Sequence, residues 1–279
     1  MKDVQNEKDL RNIYLHQVGI RELKYPVVIR NGEGEMFPVT AKVSLSVDLE
    51  GDQKGTHMSR FVEVLTQYNQ MDLKNIRLLL EALCERLEAR NSFCRFDFDY
   101  YIWKKSPVTG RESYLAVEVE YKGALRDDEM DFEMTVRTPV TTLCPCSKEI
   151  SEYSAHNQRA IVSITIRTDQ YIWIEDLTRI AETASSCPLY SLLKRPDEKF
   201  VTEYAYDHPK FVEDVARDAK LMIDEMEEME GVQSYVIEVE SLESIHNHSA
   251  YAKVEGIRVE VCAKAGQPLH KYIRYRKEN

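Results

Sequence analysis

The sequence lacks several features that would place the protein at a membrane, outside the cell or on nucleic acid. No apolar run is long enough to cross a bilayer, and Met1–Glu7 lacks the pattern of a signal peptide. Six cysteines in 279 residues are too few for a disulfide scaffold. The net charge of −11 argues against a basic face for a phosphate backbone. We therefore expect a cytoplasmic protein that binds neither membrane nor nucleic acid.

The chain also lacks a low-complexity linker, although its length allows one large domain or two modules. A hydrophobic content of 43% and a charged content of 30% are typical of a globular protein. If there are two modules, we expect them to share one rigid unit.

The first half of the chain shows strands, then helices, then strands. Leu10–Ile20 is weakly helical in pattern, and an amphipathic helix is predicted over Leu73–Leu87 with Asp72 as its cap. An apolar run with a proline predicts a strand over Glu22–Arg30, in a hairpin with the next strand. Alternating apolar and polar residues predict the other strands, which are Ala41–Leu49, Phe96–Ile102, Leu115–Tyr121 and Phe132–Val136. Their simplest pairing is antiparallel.

The second half repeats this order. Helices are predicted over Ile174–Ala184 and from near Pro209 to Gly231, with Lys194–Glu203 in a loop between them. The predicted strands are Val162–Ile166, Tyr235–Val239 and Ile257–Val261. The chain is therefore predicted to be an α+β protein of two similar modules, each a sheet with helices packed on one face.

A loop between two predicted strands contains two thiols and one imidazole, at Cys144, Cys146 and His156. Thiolate and imidazole are ligands for a soft or borderline divalent metal. The alternative is that the cysteines are small buried hydrophobic residues, since structural zinc motifs more often have the spacing Cys-x-x-Cys.

A second polar loop, residues 50–61, contains Lys54, His57 and Arg60 before a predicted helix that Thr56 or Ser59 would cap. Cations and free N–H groups at a helix start suit an anion such as a phosphate group. A solvated loop is the alternative interpretation.

Three further acidic or histidine-bearing segments lack an obvious structural role. Glu198 lies in the predicted loop, Glu213 lies early in the last predicted helix, and His246 and His248 lie between two strands. Glu213 also suits the helix dipole, and a solvated histidine loop is possible. In extended backbone the two histidines would point to opposite faces, so one could bind metal while the other meets substrate. Such scattered ligands fit a catalytic metal better than a structural one, with zinc, iron(II) and manganese all compatible.

Several uncommon motifs, in order along the chain, resemble those of type IB GTP cyclohydrolases. The resemblance extends from about Val47 to about Val261, and its motifs are Lys54–Phe61, Cys144–Ser151, Ala155–Arg159, Arg195–Lys199 and Glu243–His248.

This resemblance implies a tunnelling fold of two tandem ββααββ modules, residues 1–140 and 141–279, the second with most of the metal ligands. It implies a homo-oligomer, a tetramer in this family, with sites between subunits. Members convert GTP and water into 7,8-dihydroneopterin triphosphate and formate, the first step toward folate. They need a divalent metal, for which Zn²⁺, Mn²⁺ and Fe²⁺ are candidates.

The resemblance also implies roles for individual residues. The implied metal ligands are Cys144, His156, Glu198 and His246. Glu213 would anchor the guanine edge, and Cys144, Cys146, Glu243 and His248 would be catalytic. Candidates for binding the triphosphate are Lys54, His57, Arg60, Lys148 and Arg159.

Three other functions compete with this interpretation. Two are enzymes of the same superfamily: an archaeal-type cyclohydrolase that makes a cyclic phosphate, and a nitrile reductase that uses NADPH and captures its substrate on a cysteine. The third is a non-catalytic metal- or purine-binding module.

Overall fold

A computed structural model of the chain describes residues 5, 7–226 and 229–257. These residues contain nine strands: β1 (Leu15–Arg30), β2 (Met36–Leu49), β3 (Ser92–Lys105), β4 (Glu112–Arg126), β5 (Glu129–Leu143), β6 (Asn157–Thr168), β7 (Cys187–Pro188), β8 (Val232–Leu242) and β9 (Ser249–Ile257). They also contain six helices: α1 (Met58–Gln67), α2 (Leu73–Leu87), α3 (Pro145–Ile150), α4 (Ile174–Ala184), α5 (Arg195–Asp207) and α6 (Val212–Glu225).

The strands form one sheet in the order β1-β2-β3-β4-β5-β6-β8-β9, with β7 paired to β5. The pairs β1–β2, β2–β3, β6–β8 and β8–β9 are antiparallel. This arrangement confirms the predicted α+β class and the antiparallel pairing.

The chain divides into two compact units. The first comprises Met1–Asp99, Val119–Met134 and Asp169–Tyr171, and the second comprises Tyr100–Glu118, Thr135–Thr168 and Ile172–Asn279. Strands β3, β4 and β5 contribute residues to both units. The division predicted at residue 140 falls inside β5 and stays a prediction.

The hairpin of the first unit confirms one predicted strand and corrects one predicted helix. Residues 41, 43, 45 and 47 of β2 are at most 1% exposed, as their alternation predicts. The helix predicted over Leu10–Ile20 is wrong, because β1 begins at Leu15 and places Val18 opposite Val47 and Ile20 opposite Leu45. A long partner strand has overridden a weak local helical preference.

Helix α2 matches its prediction, whereas the start of α1 does not. The Asp72 carboxylate accepts a hydrogen bond from the Asn75 amide at 2.8 Å, so Asp72 caps α2 as expected. The N-cap of α1 is His57, which makes no capping hydrogen bond through its side chain. The expected caps are therefore wrong: Thr56 precedes the cap and is buried, and Ser59 lies inside the helix.

In the second unit, α4 spans the predicted residues, and α6 begins at Val212 and ends at Glu225. The loop predicted over Lys194–Glu203 is wrong, because α5 begins at Arg195. Only two side chains of α5, Asp197 and Ala205, are buried, so the helix lacks the apolar periodicity that would have revealed it. The strand predicted over Ile257–Val261 lies beyond the described residues after its first position, where β9 ends.

No described helix combines the length and the apolar character that a bilayer-spanning segment needs.

Gly123 of β4 allows α2 to lie close to the sheet. A Cβ atom at this position would lie 2.8 Å from Cys94 Sγ, 3.1 Å from Ile76 Cγ2 and 3.2 Å from Leu80 Cδ1. All three neighbouring side chains are buried, so they have little space to move away from an added methyl group.

We expect Gly123→Ala to lower the free energy of unfolding by about 1–3 kcal/mol, the usual cost of overpacking a core. Urea titration of the variant and the parent measures the difference. Gly55→Ala is the matched control, because its added Cβ would meet only Gln5, at 3.7 Å and beyond. Equal stability of the parent and Gly123→Ala would contradict the close packing of α2 on β4.

Candidate functional site

The thiol of Cys144 lies where β5 passes into the short helix α3. Cys144 is the N-cap of this helix, and its Sγ accepts a hydrogen bond from the Ser147 amide at 3.4 Å. Pro145 occupies the first turn, where its missing N–H costs nothing. Cys144 is half-buried, whereas Cys146 is exposed. The thiol of Cys144 thus lies at the start of a helix, beside a backbone N–H group.

Backbone hydrogen bonds bring Cys144 and His156 together. The Cys144 amide donates to the His156 carbonyl oxygen at 3.1 Å. Ser147 completes the closure, since its Oγ donates to the Cys144 carbonyl at 3.3 Å and accepts from the His156 amide at 3.1 Å. Two of the four predicted metal ligands therefore lie on one closed loop.

The His156 ring is oriented by a polar network. Its Nδ1 lies 2.8 Å from Gln158 Oε1 and 4.0 Å from Glu243 Oε2. Gln158 Nε2 donates to Thr142 Oγ1 at 3.2 Å, which directs the amide oxygen of Gln158 toward the ring. An amide oxygen only accepts hydrogen bonds, so this contact suits a ring that donates from Nδ1. A neutral ring that donates from Nδ1 has its Nε2 lone pair available for a metal.

The histidine loop departs from its predicted geometry. Residues 244–248 form a bend, and the rings of His246 and His248 stack with centroids 5.1 Å apart and planes 15° apart. The expectation that the two side chains point to opposite faces is therefore wrong, because the alternation holds only for extended backbone. Both histidines are exposed.

The predicted site glutamates begin two helices. Glu198 lies in the first turn of α5 and Glu213 in the first turn of α6, and both are exposed. Asp197, next to Glu198, is fully buried. Burial opposes ionisation of the Asp197 carboxyl, but hydrogen bonds from Thr109, Lys194 and Val108 outweigh it and hold its pKa well below the usual range.

The predicted phosphate-binding cations divide between the two units. In the first unit, Lys54 pairs with Glu7 at 2.5 Å, Arg60 donates to the Arg86 carbonyl at 3.3 Å, and His57 caps α1. In the second unit, the Lys148 ammonium donates to the Tyr206 carbonyl and lies 4.2 Å from the centre of its ring. The second cation of that unit, Arg159, is exposed on β6. The role of these cations in binding a triphosphate stays a prediction.

Among the described residues, no three His, Cys, Asp or Glu side chains converge closely enough to hold a metal ion. The chain thus brings Cys144, His156 and Glu243 into one neighbourhood, but it does not gather the four predicted ligands into a finished cluster. The donor chemistry of thiolate, imidazole and carboxylate nevertheless fits a borderline divalent ion.

Comparison with known families decides what kind of protein has this site. A family model described as type I GTP cyclohydrolase folE2 matches residues 1–252. The chain belongs to this family. It is 48% identical over 261 residues to the GTP cyclohydrolase FolE2 of Fervidobacterium nodosum, a match that covers 93% of this chain and 99% of the relative. It is 50% identical over 255 residues to GTP cyclohydrolase FolE2 of Thermotoga maritima, covering 91% and 97% of the two chains.

Among solved structures, the cyclohydrolase chain resembles uricase from Arthrobacter globiformis in fold. The TM-score is 0.50 at 9% sequence identity, and the match covers 96% of this chain and 99% of the uricase. At this identity the likeness concerns the fold alone.

Sequence reasoning gave no role to Gln158, Ser147 or Asp197. A signal for Asp197 was present, because Pro196, Asp197 and Glu198 are typical first-turn residues of a helix. No local signal identifies Gln158, whose partners His156, Thr142 and Ser244 come from three separate segments.

The environments of the thiols predict different reactivities toward alkylating reagents. Burial raises the pKa of Cys94 to about 12 and that of Cys187 to about 11, so at pH 8 at most roughly one Cys187 thiol in a thousand is ionised. We expect iodoacetamide to modify exposed Cys146 first and to leave Cys94 and Cys187 intact until urea unfolds the protein. Peptide mass spectrometry measures each rate. Modification of Cys94 in the folded protein as fast as Cys146 would contradict its burial.

Proposed function

We propose that the chain is a type IB GTP cyclohydrolase that converts GTP and water into 7,8-dihydroneopterin triphosphate and formate. Membership of the type I GTP cyclohydrolase family across residues 1–252 carries this proposal and makes the chain an enzyme. The reaction would supply the first step toward folate.

We further propose one divalent metal per site, Zn²⁺, Mn²⁺ or Fe²⁺, held by Cys144, His156, Glu198 and His246. The hydrogen bonds that join Cys144 to His156, and the contact of His156 Nδ1 with Gln158, which leaves Nε2 to face a metal, support the first two ligands. When bound, such a metal lowers the pKa of a coordinated water toward ~7 and so supplies hydroxide at neutral pH.

The remaining predicted site residues suit substrate binding and proton transfer. The exposed Glu213 carboxylate can accept two N–H donors from the guanine edge, as carboxylates do with paired donors. Exposed His248 can deliver protons to the departing purine nitrogens, since histidine is the most common general acid in enzymes. Glu243 lies beside the His156 ring, where it can hold or pass a proton, and exposed Cys146 would line the site.

The substrate triphosphate is an anion and the chain as a whole is acidic, so binding the triphosphate requires a local cluster of positively charged side chains. Our candidates remain Lys54, His57, Arg60, Lys148 and Arg159. The ion pair of Lys54 with Glu7 and the contacts of Lys148 with Tyr206 would have to exchange for phosphate contacts in the complex.

The order of elements supports a tunnelling fold of two tandem ββααββ modules. The first would be β1-β2-α1-α2-β3-β4, and the second would be β5-β6-α4-α6-β8-β9, with α3, β7 and α5 as insertions. The homotetramer with sites between subunits and the cytoplasmic location belong to this proposal and rest on the sequence. The division expected from the sequence, into residues 1–140 and 141–279, lies within β5, so this assignment of strands moves the proposed boundary to the turn between β4 and β5.

The competing functions differ in their substrates and products. An archaeal-type cyclohydrolase would yield a cyclic phosphate, and a nitrile reductase would oxidise NADPH without a catalytic metal. The description of the matched family favours the type I reaction over both and over a non-catalytic module. Formate release from GTP distinguishes both cyclohydrolases from the reductase and from the non-catalytic module, because both remove C8 of the purine. The phosphate groups of the product, a triphosphate or a cyclic phosphate, distinguish the two cyclohydrolases from each other.

We expect Cys144→Ala to remain a folded oligomer but to release formate more than about 100-fold more slowly, a loss beyond that typical of an outer-shell partner. The assay uses metal-stripped protein given zinc, manganese or ferrous iron in turn, with circular dichroism as the folding control. A fully active variant would remove Cys144 from the mechanism. If the parent protein leaves GTP intact with each of the three metals, the proposed function is wrong.

Glu198→Gln and Glu203→Gln form a matched pair on α5. Both glutamates are exposed, but only Glu198 is proposed to bind the metal, whereas Glu203 pairs with Lys199 at 3.8 Å. We expect Glu198→Gln to lose formate release and zinc affinity, and Glu203→Gln to keep both within about twofold, as usual for a surface substitution. Equal behaviour of the two variants would contradict the assignment of Glu198.

A further inference from the structure

Asp197 is a fully buried carboxylate on a helix that is otherwise mostly exposed. Its residue is 0% exposed, and it occupies the third position of α5, directly before Glu198. A buried charge is tolerated only where hydrogen bonds replace its water shell.

Four hydrogen bonds replace that water shell. Asp197 Oδ1 accepts from the amides of Val108 and Thr109 at 2.9 and 2.8 Å. Asp197 Oδ2 accepts from Thr109 Oγ1 at 2.6 Å and from the Lys194 amide at 2.9 Å. The carboxylate therefore joins the start of α5 to the turn between β3 and β4, within one unit of the chain.

The turn that supplies three of these donors is itself well ordered. Ser106 and Arg111 close it with two hydrogen bonds, from the Ser106 amide to the Arg111 carbonyl and from the Arg111 amide to Ser106 Oγ, each 2.9 Å long. Gly110 takes a φ of +63°, which favours glycine. Asp197 thus binds to a preformed support.

Helix capping alone does not explain this arrangement. An acidic residue at the third helical position needs only the bond to the N-cap amide, here Lys194. Asp214 at the same position of α6 accepts such a bond from the Phe211 amide at 3.1 Å, and among the described residues its other partner is Arg217, one turn further along the same helix. The three bonds from Val108 and Thr109 add a long-range attachment to α5.

The direction of the Glu198 side chain is set mainly by the position of its own backbone in the first turn of α5. Within the part of the chain that the structure describes, its carboxylate makes no hydrogen bond or ion pair. Apolar packing also contributes little at this end of α5, since Ala205 lies near the other end of the helix. The attachment through Asp197 is what holds the first turn, and hence the Cα of Glu198, in place.

We propose that Asp197 is a positioning residue for Glu198: it anchors the first turn of α5 to the β3–β4 turn and so aims the Glu198 carboxylate at the metal. The inference rests on the proposed role of Glu198 as a metal ligand. Outer-shell partners of metal ligands typically change metal affinity or activity by about 10–100-fold when they are removed.

The test compares zinc affinities of full-length protein, measured by competition with a chromophoric chelator, in the parent, Asp197→Asn, Glu198→Gln and the double variant. The amide keeps the shape of the carboxylate but turns an NH₂ group toward donors. We expect Asp197→Asn to weaken zinc binding about 10–100-fold in the parent. In the Glu198→Gln background the same change should weaken it less than about twofold, because residues acting through one contact are not additive.

Asp214→Asn is the matched control and should leave zinc affinity unchanged. Thr109→Val provides a milder perturbation that removes only one donor; it should weaken zinc binding a few-fold in the parent and not in the Glu198→Gln background. This variant keeps the test decisive if Asp197→Asn fails to fold. A cobalt-loaded sample reports, through its sulfur-to-metal charge-transfer band, that Cys144 still binds the metal in each variant.

Two results would overturn the inference while leaving the proposed function intact: unchanged zinc affinity in both Asp197→Asn and Thr109→Val, or an equal loss with and without Glu198. If Glu198→Gln itself binds zinc as tightly as the parent, the assignment of Glu198 is wrong and the inference fails with it. A merely structural role for Asp197 predicts the equal loss, since it would disturb the site whether or not Glu198 is present.

Discussion

The hydrogen bond from the Cys144 amide to the His156 carbonyl closes the loop after β5, and the candidate site depends on that closure. Bringing together residues separated by a flexible loop has an entropic cost that grows slowly with loop length. The neighbouring positions of β5 and β6 in the sheet offset this cost, because both ends of the loop continue into strands. The sheet thereby brings the backbones of Cys144 and His156 into contact.

Around this closed loop, buried and half-buried polar groups orient the side chains. Gln158 Oε1 contacts Nδ1 of the His156 ring, and Asp197 attaches the start of α5 to the β3–β4 turn. Both interactions involve polar groups with little exposure to solvent. In such an environment an unsatisfied polar group costs free energy, and a satisfied one has few alternative partners. In the histidine loop, Ser244 donates to Gln158, whereas His246 and His248 are exposed and stack on each other.

The parts of the fold that could be predicted are those that bury one face. Ala41–Leu49 and Leu73–Leu87 reveal their structure because burial selects apolar residues at a period of two or of three to four. The failures have the opposite cause. Helix α5 buries too few residues to leave a pattern, and the start of β1 is a strand because β2 pairs with it. Pairing partners distant in the chain are invisible to local periodicity.

For the site, the sequence by itself determined the available chemistry: a thiol, an imidazole and a carboxylate are properties of Cys144, His156 and Glu198, the residues proposed to bind the metal, wherever the backbone places them. Only the tertiary structure decided the orientation of those groups. The tautomer of His156 depends on Gln158 and Thr142, and the placement of the first turn of α5 depends on Val108 and Thr109. Hydrogen bonds act over about 3 Å in space and are indifferent to distance along the chain, so these orienting contacts exist only once the sheet has brought their segments together.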